Sequence, residues 1–274
     1  SILGVLLSTL LWSILIPRSH SVPFHRLLAH YLLGMLLNNF LPGGIGGDAA
    51  RAIALNHATG RADIAVSSVL MTRLAGLWSI VLMANGAGVL QAIYQESNQS
   101  THLLLITSAA LVVTLMFTAF LFGSTAPALL RHFPPSWVSW YACLRAYRES
   151  PARLFSSLAF ALCIQVCAIS INLFTAYALD LSVSAWQLWL SLPLITLITL
   201  LPISIGGFGV REGSYVFLLG LTGAPAADAL VLSLSVYILL TLVTAAGAGI
   251  SLLFISSTGS TLRDRIIMYE NPDL

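Results

Sequence analysis

Two arginines, Arg51 and Arg211, each close a copy of one short pattern in this chain. Residues 41–51 read LPGGIGGDAAR and residues 201–211 read LPISIGGFGVR. When position 41 is aligned with position 201, Leu, Pro, Ile, Gly, Gly and Arg coincide without a gap. Arginine presents a planar fork of N–H donors that matches the oxygens of a phosphate. The repeated pattern thus indicates two related sites for an anion.

Each copy of the pattern also predicts a break in a helix. Proline lacks an amide hydrogen, and paired glycines permit backbone shapes that other residues resist. A break leaves free amides at the start of the next helix, predicted near Asp48 and Val210, and these amides and the helix dipole attract an anion. The predicted break and hinge residues are Pro42, Gly43, Gly44, Gly46 and Gly47 in the first copy and Pro202, Gly206, Gly207 and Gly209 in the second.

Other polar residues near the breaks complete the predicted site. An arginine at the centre of a bilayer costs about 2.5–3.5 kcal/mol, so a carboxylate or a ligand phosphate is expected to compensate it. One alternative is that Arg51–Glu212 and Arg211–Asp48 ion pairs simply hold the two breaks together. The predicted headgroup-binding residues are Arg51, Arg211, Arg73, Asp48, Glu212, Asn38, Asn39 and Ser204.

The composition places these residues in a membrane. Of the 274 residues, 58% are hydrophobic and 8% are charged, whereas a soluble domain carries about 25% charged residues. Apolar blocks lie at 102–130, 154–179, 185–201 and 229–256. Because a helix needs about 20 apolar residues to cross the hydrocarbon, several of these blocks can span it. A net charge of +2 without a run of arginines argues against nucleic acid as a partner.

The distribution of arginine predicts how the chain is oriented. Cytoplasmic loops of membrane proteins are enriched in basic residues. Segment 131–153 and the tail 257–274 contain arginines, so both are predicted to be cytoplasmic. The connections 93–101, 180–184 and 222–228 contain none and are predicted to lie outside.

Two stretches at the motifs are too short to span the bilayer. Residues 210–221 provide only 12 positions, so 185–201 and 210–221 are predicted to form a hairpin that enters from outside and returns. By the same reasoning 27–41 and 48–58 form a hairpin that enters from the cytoplasm. The predicted fold class is an all-α polytopic membrane protein, an inverted-topology repeat with two oppositely oriented re-entrant helical hairpins.

The whole chain is predicted to be a single transmembrane domain. An aromatic stripe on 136–149 predicts a cytoplasmic interfacial helix between the two repeats, with the aromatic rings at headgroup depth. The predicted parts are repeat A over 1–92, a spanning helix over 102–130, the interfacial helix over 136–149, repeat B over 153–256 and a cytoplasmic tail over 257–274.

No residue pattern for catalysis, a cofactor or a metal is evident in the sequence. The six histidines lack metal-like spacing, and Cys143, Cys163 and Cys167 suggest no disulfide framework. There is no Ser/His/Asp set, no paired catalytic carboxylate and no nucleotide-binding loop. The chain is therefore predicted not to be an enzyme.

Three stretches resemble the lysylphosphatidylglycerol synthase transmembrane-region family. Residues 38–51 are similar to the first signature of that family and residues 202–213 to the second. Thr72-Arg73-Leu74 resembles a Glu-Arg-Leu step, with Thr72 where the family usually has glutamate. The family includes the flippase half of multiple peptide resistance factor proteins. The resemblance implies a bacterial inner-membrane protein that moves aminoacylated phosphatidylglycerol or isoprenoid-linked lipids between leaflets.

The expected function is therefore a lipid flippase or transporter for an anionic or aminoacylated phospholipid or an isoprenoid-phosphate lipid. Its partner would be a membrane lipid with a phosphate-containing headgroup. An alternative is a non-catalytic membrane subunit or an integral-membrane enzyme of lipid or glycolipid modification. A lipid-modifying transferase as partner and a homodimer both remain open.

Overall fold

The chain is built from α-helices, and no strand occurs in the part that the structure describes. The structure is a computed structural model, which describes residues 2–38, 45–94, 108–109, 111–116, 118–119, 135–200, 204 and 207–270. Of these, residues 45, 91–92, 94, 135–140 and 251–270 are described as backbone alone. The prediction of an all-helical protein is confirmed.

Between residues 135 and 200 and from 207 to 270, and also from α1 to α2 and from α3 to α4, the described helices follow one another with short connections. Two 3-10 turns, Arg18–His20 and Tyr147–Glu149, lie in two of these connections. The α-helices for which bounds can be given are α1 (Ile2–Leu15), α2 (Phe24–Asn38), α3 (Ile45–Thr59), α4 (Ala62–Tyr94), α5 (Pro135–Ala146), α6 (Pro151–Ala178), α7 (Ala185–Thr199), α8 (Val210–Leu221) and α9 (Ala226–Glu270).

Three helices among the described residues are long and apolar enough to cross a membrane. They are Ala62–Leu90 in α4, Pro151–Ala178 in α6 and Ala226–Ile250 in α9, with 29, 28 and 25 residues. Each exceeds the length of about 20 residues that the hydrocarbon requires. The helix α9 continues through Glu270, so the predicted tail over 257–274 begins as helix.

A pair of shorter helices flanks each motif. Helix α2 packs against α3, and α7 packs against α8. These helices have 15, 15, 15 and 12 residues, so each is shorter than a full span. The predicted pairing of short helices is present, and their re-entrant placement in opposite directions stays a prediction.

Among the described residues, three clusters of apolar side chains form the interior. The largest joins α4 and α6 to α7, α8 and α9 through residues such as Ala176, Leu188 and Leu219. A second joins α1, α4, α5 and α6 around Leu15 and Leu144. A third joins α1, α2, α3 and α4, and its buried members are Trp12, Ile16, Leu27, Leu55, Ala65 and Val69.

The aromatic stripe predicted for 136–149 packs partly against protein. Tyr141, Leu144 and Tyr147 are buried, and the Tyr147 hydroxyl donates to the Leu15 carbonyl at 2.5 Å. Leu144 of α5 and Tyr147 of the 3-10 turn after it therefore pack this segment against the end of α1 and against α4. The interfacial location of the helix itself stays a prediction.

The predicted spanning helix over 102–130 lies mostly outside the described residues. Its described positions between 108 and 119 are helical. The Trp78 indole N–H of α4 donates to the Thr118 hydroxyl at 3.0 Å. This bond fastens the described part of the helix to α4.

Candidate functional site

Arg51 lies in the second turn of α3 and is almost completely buried. The helix begins at Ile45, three residues earlier than the predicted start near Asp48. Arg51 is 7% exposed. A guanidinium buried to this degree has to be compensated by its neighbours, because a desolvated charge is costly.

Two glycines allow the close approach of α2 to α3 on which the position of Arg51 depends. A Cβ atom at Gly34 would lie 2.9 Å from both the Gly47 carbonyl oxygen and the Arg51 Cγ. A Cβ atom at Gly47 would lie 2.0 Å from the Gly34 carbonyl oxygen. Contacts this short do not occur between real atoms, so both positions require glycine for this packing.

Asn38, a predicted site residue, lies at the wall of the first cavity and also organises the break. Its side-chain oxygen accepts the Gly47 amide hydrogen at 2.7 Å. This bond satisfies one of the amides that the first turn of a helix leaves without a backbone partner. The prediction that these amides attract an anion is therefore corrected at Gly47, whose N–H is already used within the protein.

Two arginines share the carboxylate of Asp48. Its Oδ1 accepts from Arg51 Nη2 at 2.6 Å, and its Oδ2 accepts from Arg73 Nε at 2.5 Å. Arg51 is thus paired within its own helix, and the alternative of a bond from Arg51 to Glu212 is corrected. Two cations and one anion give these three side chains a formal charge of +1 (two minus one).

Neutral groups complete the surroundings of the Arg51 guanidinium. Its Cζ lies 5.3 Å from the centroid of Trp12 and 5.1 Å from that of Tyr31, within the range of a cation–π interaction. The Thr72 hydroxyl lies 3.5 Å from Arg51 Nη2. Thr72 therefore faces Arg51 as a neutral group.

A cavity of about 630 Å³, which we call the first cavity, is lined by Tyr31, Asp48, Arg51, Thr72 and Arg73. Asp48, Arg51 and Arg73 are the charged residues among the described ones that line it. The side chain of Arg73 is 37% exposed, so it is the more accessible of the two arginines. The rest of the lining is mainly apolar and includes Leu11, Leu70, Leu74, Leu77, Ile80 and Ile164.

The second motif forms a related but smaller arrangement at the start of α8. Gly207 and Gly209 have φ values of 82° and 78°, a conformation that favours glycine. The Gly209 amide donates to Glu212 Oε2 at 2.6 Å, and Glu212 Oε1 lies 3.6 Å from Arg211 Nε. The carboxylate beside Arg211 is therefore Glu212 and not Asp48, so the alternative of an Arg211–Asp48 ion pair is corrected.

Arg211 faces a second cavity of about 170 Å³. Its Cζ lies 4.0 Å from the centroid of the Tyr237 ring and 6.0 Å from that of Phe208. Tyr215 donates to the Asn172 side-chain oxygen at 2.8 Å on the wall of this cavity. Ser233 also lines it, is 1% exposed, and has a hydroxyl without a hydrogen bond to the described residues.

The predicted site residues thus separate into groups. Asp48, Arg51, Arg73 and Asn38 meet at the first cavity, Arg211 lines the second and Glu212 lies beside it, and Ser204 lines neither of the two. Sequence reasoning missed Trp12 and Tyr31, because isolated aromatic residues in apolar helices carry no signal of a role. The predicted residues that lie outside the described part of the chain are Asn39, Pro42, Gly43, Gly44, Pro202 and Gly206.

Long apolar helices and a positively charged cavity between them define a helical, multi-pass membrane protein with a polar interior site. The family model for the lysylphosphatidylglycerol synthase TM region matches residues 1–248, so the chain belongs to this family and the resemblance is confirmed. Membership gives the chain a function related to membrane lipids. No curated protein and no solved structure matches the chain.

Proposed function

We propose that this chain is a lipid flippase whose first cavity binds the phosphate of a lipid headgroup. The observation that carries the proposal is the pair of arginines that share Asp48 at the cavity wall. Within these three side chains, one carboxylate and two guanidiniums carry a formal charge of +1, which an anion would neutralise. An anionic or aminoacylated phospholipid or an isoprenoid-phosphate lipid would supply that anion.

The geometry of the arginines suggests how a phosphate would enter. Arg51 is held by Asp48 and by two aromatic rings, so it acts as the fixed cation. Arg73 is more exposed and belongs to another helix, α4. A phosphate oxygen would either replace Asp48 as the acceptor of the Arg73 N–H groups or accept from Arg73 alongside Asp48. The apolar lining beyond the charges suits the adjoining hydrocarbon of a lipid rather than a free anion.

The pattern of helix packing supports an inverted repeat. When the two motifs are aligned, α1 to α4 correspond to α6 to α9. Equivalent helices make equivalent contacts. Helix α2 packs against α9, as α7 packs against α4, and α3 packs against α4, as α8 packs against α9. Helices α1 and α6 pack against each other. In transporters, two related halves that rock against each other expose a site to each side in turn.

Transport of a labelled lipid in vesicles tests the proposal. Purified protein would be reconstituted with phosphatidylglycerol that carries a fluorescent acyl chain, and the fraction that a membrane-impermeant reductant quenches would be followed in time. Arg73→Gln is expected to slow translocation about tenfold or more, which corresponds to the loss of one hydrogen bond to a charged group. Arg61→Gln provides a matched control, because Arg61 is half exposed and pairs with Asp63 outside the cavity.

The results separate the proposal from its alternative. A wild-type protein that leaves the labelled lipid in its original leaflet would contradict the flippase. If such a protein still retained phosphatidylglycerol, and lost it on Arg73→Gln, the alternative of a non-catalytic membrane subunit that binds lipid would be favoured. In the proposed arrangement the protein lies in a bacterial inner membrane with its C-terminus in the cytoplasm.

A further inference from the structure

The two cavities share part of one wall. Gln165 of α6 and Thr196 of α7 line both the first cavity and the second. The arginines lie in separate cavities, Arg51 and Arg73 in the first and Arg211 in the second. Gln165 and Thr196 thus lie where the two cavities adjoin, between the two sets of arginines.

Gln165 is an unusual residue for its place in the fold. It lies near the middle of Pro151–Ala178, the apolar span formed by α6. Its amide forms no hydrogen bond within the part of the chain that the structure describes. A polar group in apolar surroundings is unfavourable without a partner. No structural partner among the described residues explains why an amide is placed here.

The two shared residues differ in what they can offer to a ligand. The Thr196 hydroxyl donates to the Leu192 carbonyl at 2.8 Å, so its hydrogen is already used. The Gln165 amide carries two N–H donors. Gln165 is therefore the group at the shared wall that can donate to a phosphate oxygen.

Gln165 and Thr196, the polar residues of the shared wall, both belong to repeat B. In the alignment that superimposes the two motifs, Gln165 corresponds to Val5 and Thr196 to Leu36. Packing in an inverted repeat would be served equally well by apolar residues at both pairs of positions. The asymmetry indicates that an amide at the shared wall serves a ligand rather than the packing of the repeat.

We propose that Gln165 is a positioning residue for lipid translocation, which donates a hydrogen bond to the headgroup phosphate as it moves between the two cavities. This inference rests on the proposed flippase function. It makes Gln165 necessary for the transfer step but not for binding at Arg51 and Arg73. Without this side chain, the described residues that line both cavities would offer the phosphate no free N–H or O–H donor.

The test measures binding and translocation separately. Retention of phosphatidylglycerol by the purified protein is followed by native mass spectrometry, and its translocation by the fluorescent-lipid assay. Gln165→Leu is expected to keep lipid retention at the wild-type level and to slow translocation about tenfold, as the loss of one hydrogen bond to a charged group implies. Gln165→Asn, which keeps the donors, is expected to retain most of the wild-type rate. Val166→Leu is the control, because Val166 is exposed on the same helix and lines neither cavity.

A second variant keeps the test decisive if Gln165→Leu does not fold. Gln165→Glu preserves the shape of the side chain and places a carboxylate where the phosphate would pass, so a stronger loss of translocation is expected. Wild-type rates in the folded Leu or Glu variant would overturn the role of Gln165 while leaving the flippase proposal intact. A wild-type protein without translocation would overturn both. Equal loss of retention and translocation would show that Gln165 acts in binding and would also overturn the inference.

Discussion

Asp48 of α3 and Arg73 of α4 are joined by an ion pair across 25 residues of sequence. The same carboxylate also holds Arg51, so Asp48 connects the first helix break to the long helix α4. Thr72, next to Arg73, has no charge with which to compensate it. The carboxylate that balances Arg73 therefore comes from the motif rather than from the residue beside it. Asp48 thus binds the buried Arg51 through one carboxylate oxygen and the more exposed Arg73 through the other.

Asp48→Asn is predicted to tighten the hold of the site on an anionic lipid. The change raises the formal charge of the three side chains from +1 to +2, and it removes the group that competes with phosphate. Retention of phosphatidylglycerol is expected to rise and translocation to slow, because release becomes harder. Native mass spectrometry and the fluorescent-lipid assay measure the two quantities.

The same variant is predicted to be less stable without ligand. Arg51 loses its carboxylate while it remains buried, and an unsatisfied buried donor costs about 1–3 kcal/mol. A lower thermal unfolding midpoint that added phosphatidylglycerol partly restores is expected. Asp180→Asn serves as a control, since Asp180 is exposed and has no ion pair within the described residues. Unchanged lipid retention in Asp48→Asn would contradict the competition between Asp48 and phosphate.

Gly47→Ala is predicted to disturb the packing of α2 on α3 more strongly than Gly34→Ala. The added Cβ would lie 2.0 Å from backbone at Gly47, and 2.9 Å from backbone and from the flexible Arg51 side chain at Gly34. Overpacking of this kind costs about 1–3 kcal/mol. Gly86→Ala is the matched control, because nothing lies within 4 Å of its added Cβ. In a helix that change is expected to stabilise by about 0.5–1 kcal/mol.

Thermal unfolding in detergent, with the reductant-quenching assay on the variants that remain folded, measures this ranking. Equal midpoints for the Gly47 and Gly86 variants would show that α2 and α3 do not approach as closely as described. The result bears on the site directly, because the Arg51 side chain lies against Gly34.

The sequence predicts much of this fold, because length and periodicity in apolar helices are local properties. The repeated motif predicts the pairs of short helices around Arg51 and Arg211, and the start of α8 at Val210 agrees with the structure. The start of α3 differs, since the helix already includes Ile45 and the Gly47 N–H in its first turn donates to Asn38 of α2. Such a bond depends on tertiary contact and leaves no trace in the spacing of residues.

The pairing of charges is the part of the site that could not be predicted. From the sequence, Arg51 could pair with Glu212 or with Asp48, since both acids lie close to a motif. The choice depends on the rotation of α3 about its axis, which places Asp48 between Arg51 and Arg73. Gln165 was missed for a similar reason. A single glutamine in an apolar block gains meaning only when the two cavities on either side of it are seen.

Cys143 is predicted to react slowly with alkylating reagents. Desolvation raises the pKa of its thiol to about 11 from an ordinary 9.0, with a further increase from its hydrogen bond to Asp63 at 3.2 Å. Alkylation requires the thiolate. A pKa of about 11 in place of 9.0 reduces the fraction of Cys143 present as thiolate about a hundredfold at pH 7–8. Asp63→Asn is expected to lower the pKa and speed the reaction, because it removes a negative charge beside the thiol.

Maleimide labelling between pH 7 and 10 checks this prediction in a protein with Cys163→Ala and Cys167→Ala, so that Cys143 is the remaining thiol. The rate should still rise with pH at pH 10. A rate that levels off by pH 10, as for a thiol with the ordinary pKa of 9.0, would contradict the raised pKa. Arg61→Gln separates the two neighbours, since loss of that cation is expected to slow labelling further.

The opposite orientation of the two helix pairs gives a last prediction. If α2 and α3 enter from the cytoplasm and α7 and α8 from outside, the ends of the two pairs lie on opposite faces of the membrane. Single cysteines would be placed at Ala58, near the end of α3, and at Ser182, just before α7, both exposed positions. The background carries alanine at Cys143, Cys163 and Cys167. A membrane-impermeant maleimide is expected to label Ser182→Cys in right-side-out vesicles and Ala58→Cys only in inverted vesicles. Labelling of both from the same side would contradict the inverted repeat, because two halves related by a two-fold axis in the membrane plane must present equivalent ends to opposite faces.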